Sequence, residues 1–203
     1  MRRSELVTPH GTAAIVELDD HEIDAALAVL PDEEQRAAEK LSGVRRRELV
    51  AGRTAMHCLI AEAVLSNERG APILPAGKSG SISHKLTRAA ALVADAHHGH
   101  VGIDLERTAA TRLDIGKRIL TVNEPKVQGA ELLRVFAIKE AIYKAIDPIV
   151  RRYVGFQEVE LVVGEGGEVG VTIVDPVKLP VIVEAWWTRV DDHWLATARG
   201  RKL

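Results

Sequence analysis

Cysteine is almost missing from this chain. A single Cys58 among 203 residues cannot close a disulfide within the chain, which excludes a cross-linked secreted scaffold and points to a reducing, cytoplasmic setting. It sits in an Ala-, Leu- and Ile-rich stretch that reads as helix, so it reads as a buried spectator thiol. Long apolar runs are missing as well, since no segment approaches the roughly 20 residues that span a bilayer. The basic start Met1-Arg2-Arg3 has the charge of a signal peptide, but Pro9, His10 and Gly11 interrupt the apolar stretch that should follow. The expectation is a soluble protein with no membrane partner. Charge of one sign is also lacking: 27 Lys and Arg stand against 29 Asp and Glu, a formal net charge of -2. That excludes a general nucleic-acid binder, whose basic footprint dominates the domain. An anionic ligand must be caught by a local cluster. No short internal repeat is present.

What the chain does have is apolar content, 46% of it, enough for a core without disulfides or a structural metal. Residues 13–18 read as a first strand and 19–30 as a short helix opened by acids. Pro31-Asp32-Glu33-Glu34 starts a second helix, with proline and carboxylates in its first turn. An amphipathic pattern from Arg45 to Leu65, carried by Leu49, Ala55, Met56, Leu59, Ile60 and Val64, predicts one long helix. A glycine- and proline-rich loop over 70–80 follows. Short strands come next at 81–83, 89–94 and 100–105, then a helix at 114–120 and a stronger one at 131–146. The remainder reads as antiparallel strand and hairpin. The fold class is α/β (α+β), with a boundary just past Glu106, giving halves 1–106 and 107–203.

Three fragments carry chemistry. Asp104 and Glu106 are two apart on a predicted strand, so both carboxylates share one face while Leu105 points to the core. Such a pair is a compact hard-oxygen site suited to magnesium, although taken alone an exposed strand end with two solvated acids is the commoner case. In the second fragment, Phe136-Ala137-Ile138-Lys139-Glu140-Ala141-Ile142-Tyr143-Lys144-Ala145, helical spacing puts Lys139 in the middle of the apolar stripe. A lysine there needs an anionic partner or a route to solvent. Glu140 and Lys144 stand one turn apart and read, alone, as an ordinary surface ion pair. The third fragment, Gly80-Ser81-Ile82-Ser83-His84, follows the loop and offers hydrogen-bond donors for phosphate oxygens. Arg46, Arg47 and Arg53 lie on one predicted helix, where they are either a solvated stripe or a phosphate clamp.

In this order and at these distances, the segments from Arg46 to Arg53, Gly80 to His84, Val101-Gly102-Ile103-Asp104-Leu105-Glu106 and Phe136 to Ala145 resemble the Sfp-type 4′-phosphopantetheinyl transferases. The family pattern is G-[IV]-D-x-E followed by [FW]-x-x-K-E-[AS]-x-x-K. The resemblance covers about residues 31–158. It implies two pseudo-twofold-related halves, each a small, mainly antiparallel sheet with helices, with coenzyme A held between them. It also implies an acyl or peptidyl carrier protein as partner and a monomeric enzyme. Asp104, Glu106 and Glu140 would hold magnesium, with manganese as a substitute. Asp104, Glu140 and Lys144 would be the catalytic set, Glu140 being the candidate base and Lys144 contacting the transferred phosphate. Lys139 would support the same helix and site, while Ser83, His84, Arg53, Arg46 and Arg47 would hold the adenosine portion and its 3′-phosphate. The competing readings are a non-catalytic member that only binds coenzyme A or a carrier, and a magnesium-dependent phosphohydrolase.

Overall fold

A computed structural model describes residues 1–109 and 115–203. The chain forms two compact units, Met1–His97 and His98–Leu203. The expected boundary past Glu106 is therefore corrected: strand β5 (His100–Arg107) belongs to the second unit, because it pairs along its whole length with the last strand, β9 (His193–Lys202).

The first unit is a four-stranded antiparallel sheet in the order β1-β2-β4-β3, with β1 Arg2–Thr8, β2 Gly11–Glu17, β3 Lys78–Lys85 and β4 Arg88–Asp95. Three helices accompany it, α1 (Ile23–Leu27), α2 (Asp32–Glu39) and α3 (Gly43–Met56). Val50, Ala51, Ala55 and Met56 of α3 pack with Val16, Ala89 and Ala91 of the sheet. The apolar spacing that predicts a helix to Leu65 overshoots, because α3 stops at Met56. Two side chains draw the chain away. His57 puts Nδ1 3.0 Å from the Ile60 carbonyl, and the Val64 amide donates to Glu34 Oε1 at 2.6 Å. Ile60 and Val64 are still buried, so their apolar character is used, but from irregular backbone. Strand β1 has no counterpart in the sequence reading, because most of its side chains are exposed and no alternation marks it.

The second unit is a five-stranded antiparallel sheet in the order β5-β9-β8-β7-β6, with β6 Val159–Val163, β7 Glu168–Ile173 and β8 Val181–Val190. One long helix, α5 (Gly129–Val150), lies on it and buries Ala137, Ile138, Ala141, Ile142, Ala145 and Ile146. A short helix, α4 (Gly116–Ile119), precedes it. The start predicted for that helix, Asp114, lies outside the described residues. The fold is thus the expected mixture, two antiparallel sheets with helices. No helix among the described residues is long and apolar enough to cross a membrane.

Candidate active site

The approach of α5 to β5 begins with a glycine. A Cβ placed on Gly102 would lie 2.0 Å from the Ala141 carbonyl oxygen and 2.7 Å from the Ala145 nitrogen, so only a residue without a side chain lets the helix backbone come this near. Two and four residues further along the same strand face stand Asp104 and Glu106. Both are buried. Lys144, on the helix facing them, donates from Nζ to Asp104 Oδ1 at 2.7 Å and to the Ile103 carbonyl at 2.9 Å. The helix residue one turn earlier is Glu140.

Electrostatics tie these groups together. The Glu140 carboxyl is held above the usual carboxylate range, first by burial and then by the negative charge of Asp104, with Glu106 adding to it; Lys144 and Arg118 pull the other way. The Glu140 carboxyl on the helix thus feels the negative charges of two carboxylates on the strand packed against it. Like charges in such proximity hold protons or gather a cation. The donor set is entirely oxygen and fits a hard divalent ion such as magnesium. The surface ion pair between Glu140 and Lys144, which helical spacing alone suggests, is not what the lysine makes; it crosses to the strand instead.

Lys139 requires correction as a binding residue. It is completely buried, and its Nζ donates to Glu124 Oε2 at 2.7 Å and to the carbonyls of Val159 at 2.8 Å, Ile119 at 2.9 Å and Phe156 at 2.9 Å. Desolvation lowers its pKa while Glu124 raises it. Glu124 is equally occupied, accepting from the Thr121 amide at 2.7 Å and the Leu161 amide at 2.8 Å. No donor of Lys139 is left for a ligand. The anionic partner that the sequence demands for a lysine in an apolar stripe is Glu124, which the reading missed because it stands 15 residues earlier, outside any helical period.

In the first unit the predicted residues separate. Ser79, Ser81 and Ser83 are buried on one face of β3, whereas His84 points to the other, where its Nδ1 lies 3.4 Å from Glu48 of α3. Ser83 and His84 therefore present their side chains to opposite faces of β3. Arg46 and Arg47 reach Asp24 and Asp20 in partly exposed pairs. Arg53 is buried, donates to Ser66 Oγ at 2.8 Å, and borders a cavity of about 670 Å³ lined also by Arg36, Lys40, Glu34 and Leu49. Burial lowers its pKa and the nearby Glu34 charge opposes that. A second acidic grouping, Asp19, His21 and Glu22, is largely exposed, and Glu22 there bonds the Met1 ammonium and the Asp19 amide.

Comparison with known proteins follows the same division into units. The profile of the 4′-phosphopantetheinyl transferase N-terminal domain matches residues 33–94, and that of the 4′-phosphopantetheinyl transferase superfamily matches 100–198. The 4′-phosphopantetheinyl transferase Npt of Nocardia iowensis is 31% identical over 172 residues, spanning 77% of this chain and 75% of the relative. The chain belongs to the 4′-phosphopantetheinyl transferase family. Among solved structures, the transferase is similar to the Chronobacterium ammoniagenes ACPS–CoA complex, at 20% identity and a TM-score of 0.39 over 51% of this chain and 97% of the other. The apo form gives 19% identity and a TM-score of 0.37 over 50% and 95%. In the transferase, the superfamily match encloses Asp104, Glu106, Glu140 and Lys144, and the N-terminal match encloses Arg46, Arg47, Arg53, Ser83 and His84.

Proposed function

We propose that the transferase moves the 4′-phosphopantetheine arm of coenzyme A onto a serine hydroxyl of an acyl or peptidyl carrier protein, requires magnesium or manganese, and releases adenosine 3′,5′-bisphosphate. The observation that carries this reading is the meeting of Asp104, Glu106, Glu140 and Lys144 on facing surfaces of β5 and α5. Asp104, Glu106 and Glu140 would hold the divalent ion. That ion would supply positive charge to the phosphate oxygens, where charge grows as the bond breaks.

The chain's own residues divide the rest of the work. Glu140 is a half-buried carboxylate on the helix facing Asp104 and Lys144, and it is assigned the proton of the carrier serine. The serine oxygen then attacks the β-phosphorus, and the bond to the adenosine-bearing phosphate breaks with its electron pair on the leaving oxygen. Lys144 has one of its three N–H bonds left after Asp104 and Ile103, and we assign that donor to the transferred phosphate. The first unit is assigned the nucleotide: Arg53 the 3′-phosphate, with His84 on the α3 side of β3, and Arg46 and Arg47 as further cations on α3.

Mass spectrometry of a panel of carrier proteins incubated with enzyme, coenzyme A and magnesium tests the reading. The expected result is a gain of about 340 Da on the carrier, the mass of the attached group. Cleavage of coenzyme A without that gain would identify a phosphohydrolase. Binding with neither outcome would identify a non-catalytic member.

A further inference from the structure

Next to the acidic cluster stands a cation that the reaction described above does not use. Arg118 sits on α4, a helix of four residues, too short to persist by its own hydrogen bonds. It is fastened by side chains from elsewhere in the second unit. Lys139 bonds the Ile119 carbonyl, and Gln157 donates from Nε2 to the carbonyls of Lys117 at 3.0 Å and Leu120 at 3.3 Å. The same Lys139 ammonium also bonds the carbonyl of Phe156. One buried charge therefore fixes both the segment that carries Arg118 and the ring beneath it, since the Arg118 guanidinium carbon is 5.9 Å from the Phe156 ring centroid.

Phe156 in turn locates Arg118 relative to the site. Its ring lies 5.6 Å from Phe136 and 5.1 Å from Tyr143. Phe136, Glu140 and Tyr143 are four and three residues apart on α5, hence aligned down one side of the helix. The guanidinium thus rests on the ring that bridges the turns before and after Glu140. Its positive charge is felt at Glu140, opposing that of Asp104 and Glu106. None of the ion pairs among the described residues engages Arg118, and its side chain is exposed. A contact with one phenyl face is weak at an exposed site and uses none of the five N–H donors. Lys144, the other cation here, has spent two of its three donors on the strand.

We propose that Arg118 is a further substrate-binding residue, donating its guanidinium fork to a phosphate oxygen of coenzyme A beside Glu140. The inference rests on coenzyme A being the donor substrate. Arginine suits this task because its planar fork meets two phosphate oxygens at once, and the aromatic ring below preorganises it. Three carboxylates, one divalent ion, Lys144 and Arg118 together sum to a single positive charge, which favours an anionic substrate. Without Arg118 the sum is zero.

The experiment uses the full chain with magnesium, comparing wild type, Arg118→Ala and Arg118→Lys in two assays: coenzyme A affinity by calorimetry, and KM for coenzyme A and for a carrier protein in the mass-gain assay. Arg118→Ala should weaken coenzyme A about tenfold or more in both, leave the carrier KM unchanged, and melt with the parent. Arg118→Lys should recover part of the affinity, because it keeps the charge and loses the fork. Unchanged coenzyme A affinity in Arg118→Ala overturns the inference, and so does a rise confined to the carrier KM, which would put the anion on the carrier. A wild type that binds coenzyme A but modifies no carrier refutes the transfer reaction while the calorimetry still decides Arg118. A wild type that binds no coenzyme A overturns both.

Discussion

At the scale of single residues, adjacent positions on α5 have opposite fates. Lys139 is sealed among carbonyls and Glu124, while Glu140 is half-buried and faces the carboxylates of β5. Replacing Glu140 with Gln keeps the shape and removes both charge and basicity. The expected fall in kcat is at least about a hundredfold, the low end for loss of a general base. Its melting temperature should not fall, since a carboxyl crowded by Asp104 and Glu106 is not a stabilising charge. Steady-state kinetics beside a melting curve checks both halves. Another residue-scale test concerns His57, whose two ring nitrogens face acceptors: Glu34 at 2.9 Å and the Ile60 carbonyl at 3.0 Å. Two acceptors demand two donors, so the ring is held as imidazolium, and its pKa is raised chiefly by the hydrogen bond to Glu34. A raised folded-state value gives a contribution that is complete below the ordinary histidine pKa of about 6.5 and is lost as pH climbs through the raised value. His57→Ala should cost about 3 kcal/mol at low pH, because it strands the buried Glu34 carboxylate. The gap to wild type in urea denaturation should shrink as pH rises above neutrality; a gap independent of pH would sink the assignment.

At the scale of elements, what could be read beforehand depended on period. The strand face that joins Asp104 to Glu106 and the helical stripe around Lys139 were legible, because each is fixed by local geometry. The end of α3 was not, since Leu59, Ile60 and Val64 continue the helical spacing while Glu34 and His57 decide the backbone. Glu124 was invisible for the same reason, being a partner chosen by the fold and not by the sequence interval. Equally, the adjacency of Ser83 and His84 in sequence conceals that the alternation of β3 sends their side chains to opposite faces. Gly102 belongs with these: its place in the motif could be seen, but its reason is the helix backbone 2.0 Å from where a Cβ would stand. Gly102→Ala must push α5 off β5, and overpacking of this kind costs about 1–3 kcal/mol. Since Lys144 reaches Asp104 across that contact, activity should fall further than stability does. Gly155→Ala is the control, as its new Cβ would meet nothing closer than 3.8 Å. Equal behaviour of the two variants in thermal melts would show that the approach is not tight.

At the scale of the whole molecule, the two units have separate cores and, on our proposal, separate tasks. Arg53 belongs to the first unit and would hold a part of coenzyme A that does not change during reaction. Glu140 belongs to the second and would act on the proton that moves. Binding that is equal in ground state and transition state appears in KM, whereas an interaction made only in the transition state appears in kcat. Arg53→Ala should therefore raise KM for coenzyme A with kcat nearly retained, and should weaken 3′-dephospho-coenzyme A far less, because that ligand never had the phosphate. Glu140→Gln should lower kcat even at saturating magnesium and coenzyme A. Arg53 bonds Ser66 and feels Glu34, whereas Glu140 is coupled to Asp104, Lys144, Glu106 and Arg118, so the two share no partner. Effects of residues without shared partners add within about 0.5 kcal/mol. The double variant should then show the raised KM of one parent and the lowered kcat of the other, with the losses in kcat/KM multiplying. If the double loss is much smaller than that product, the two residues serve one step, and the division of tasks between the units is wrong.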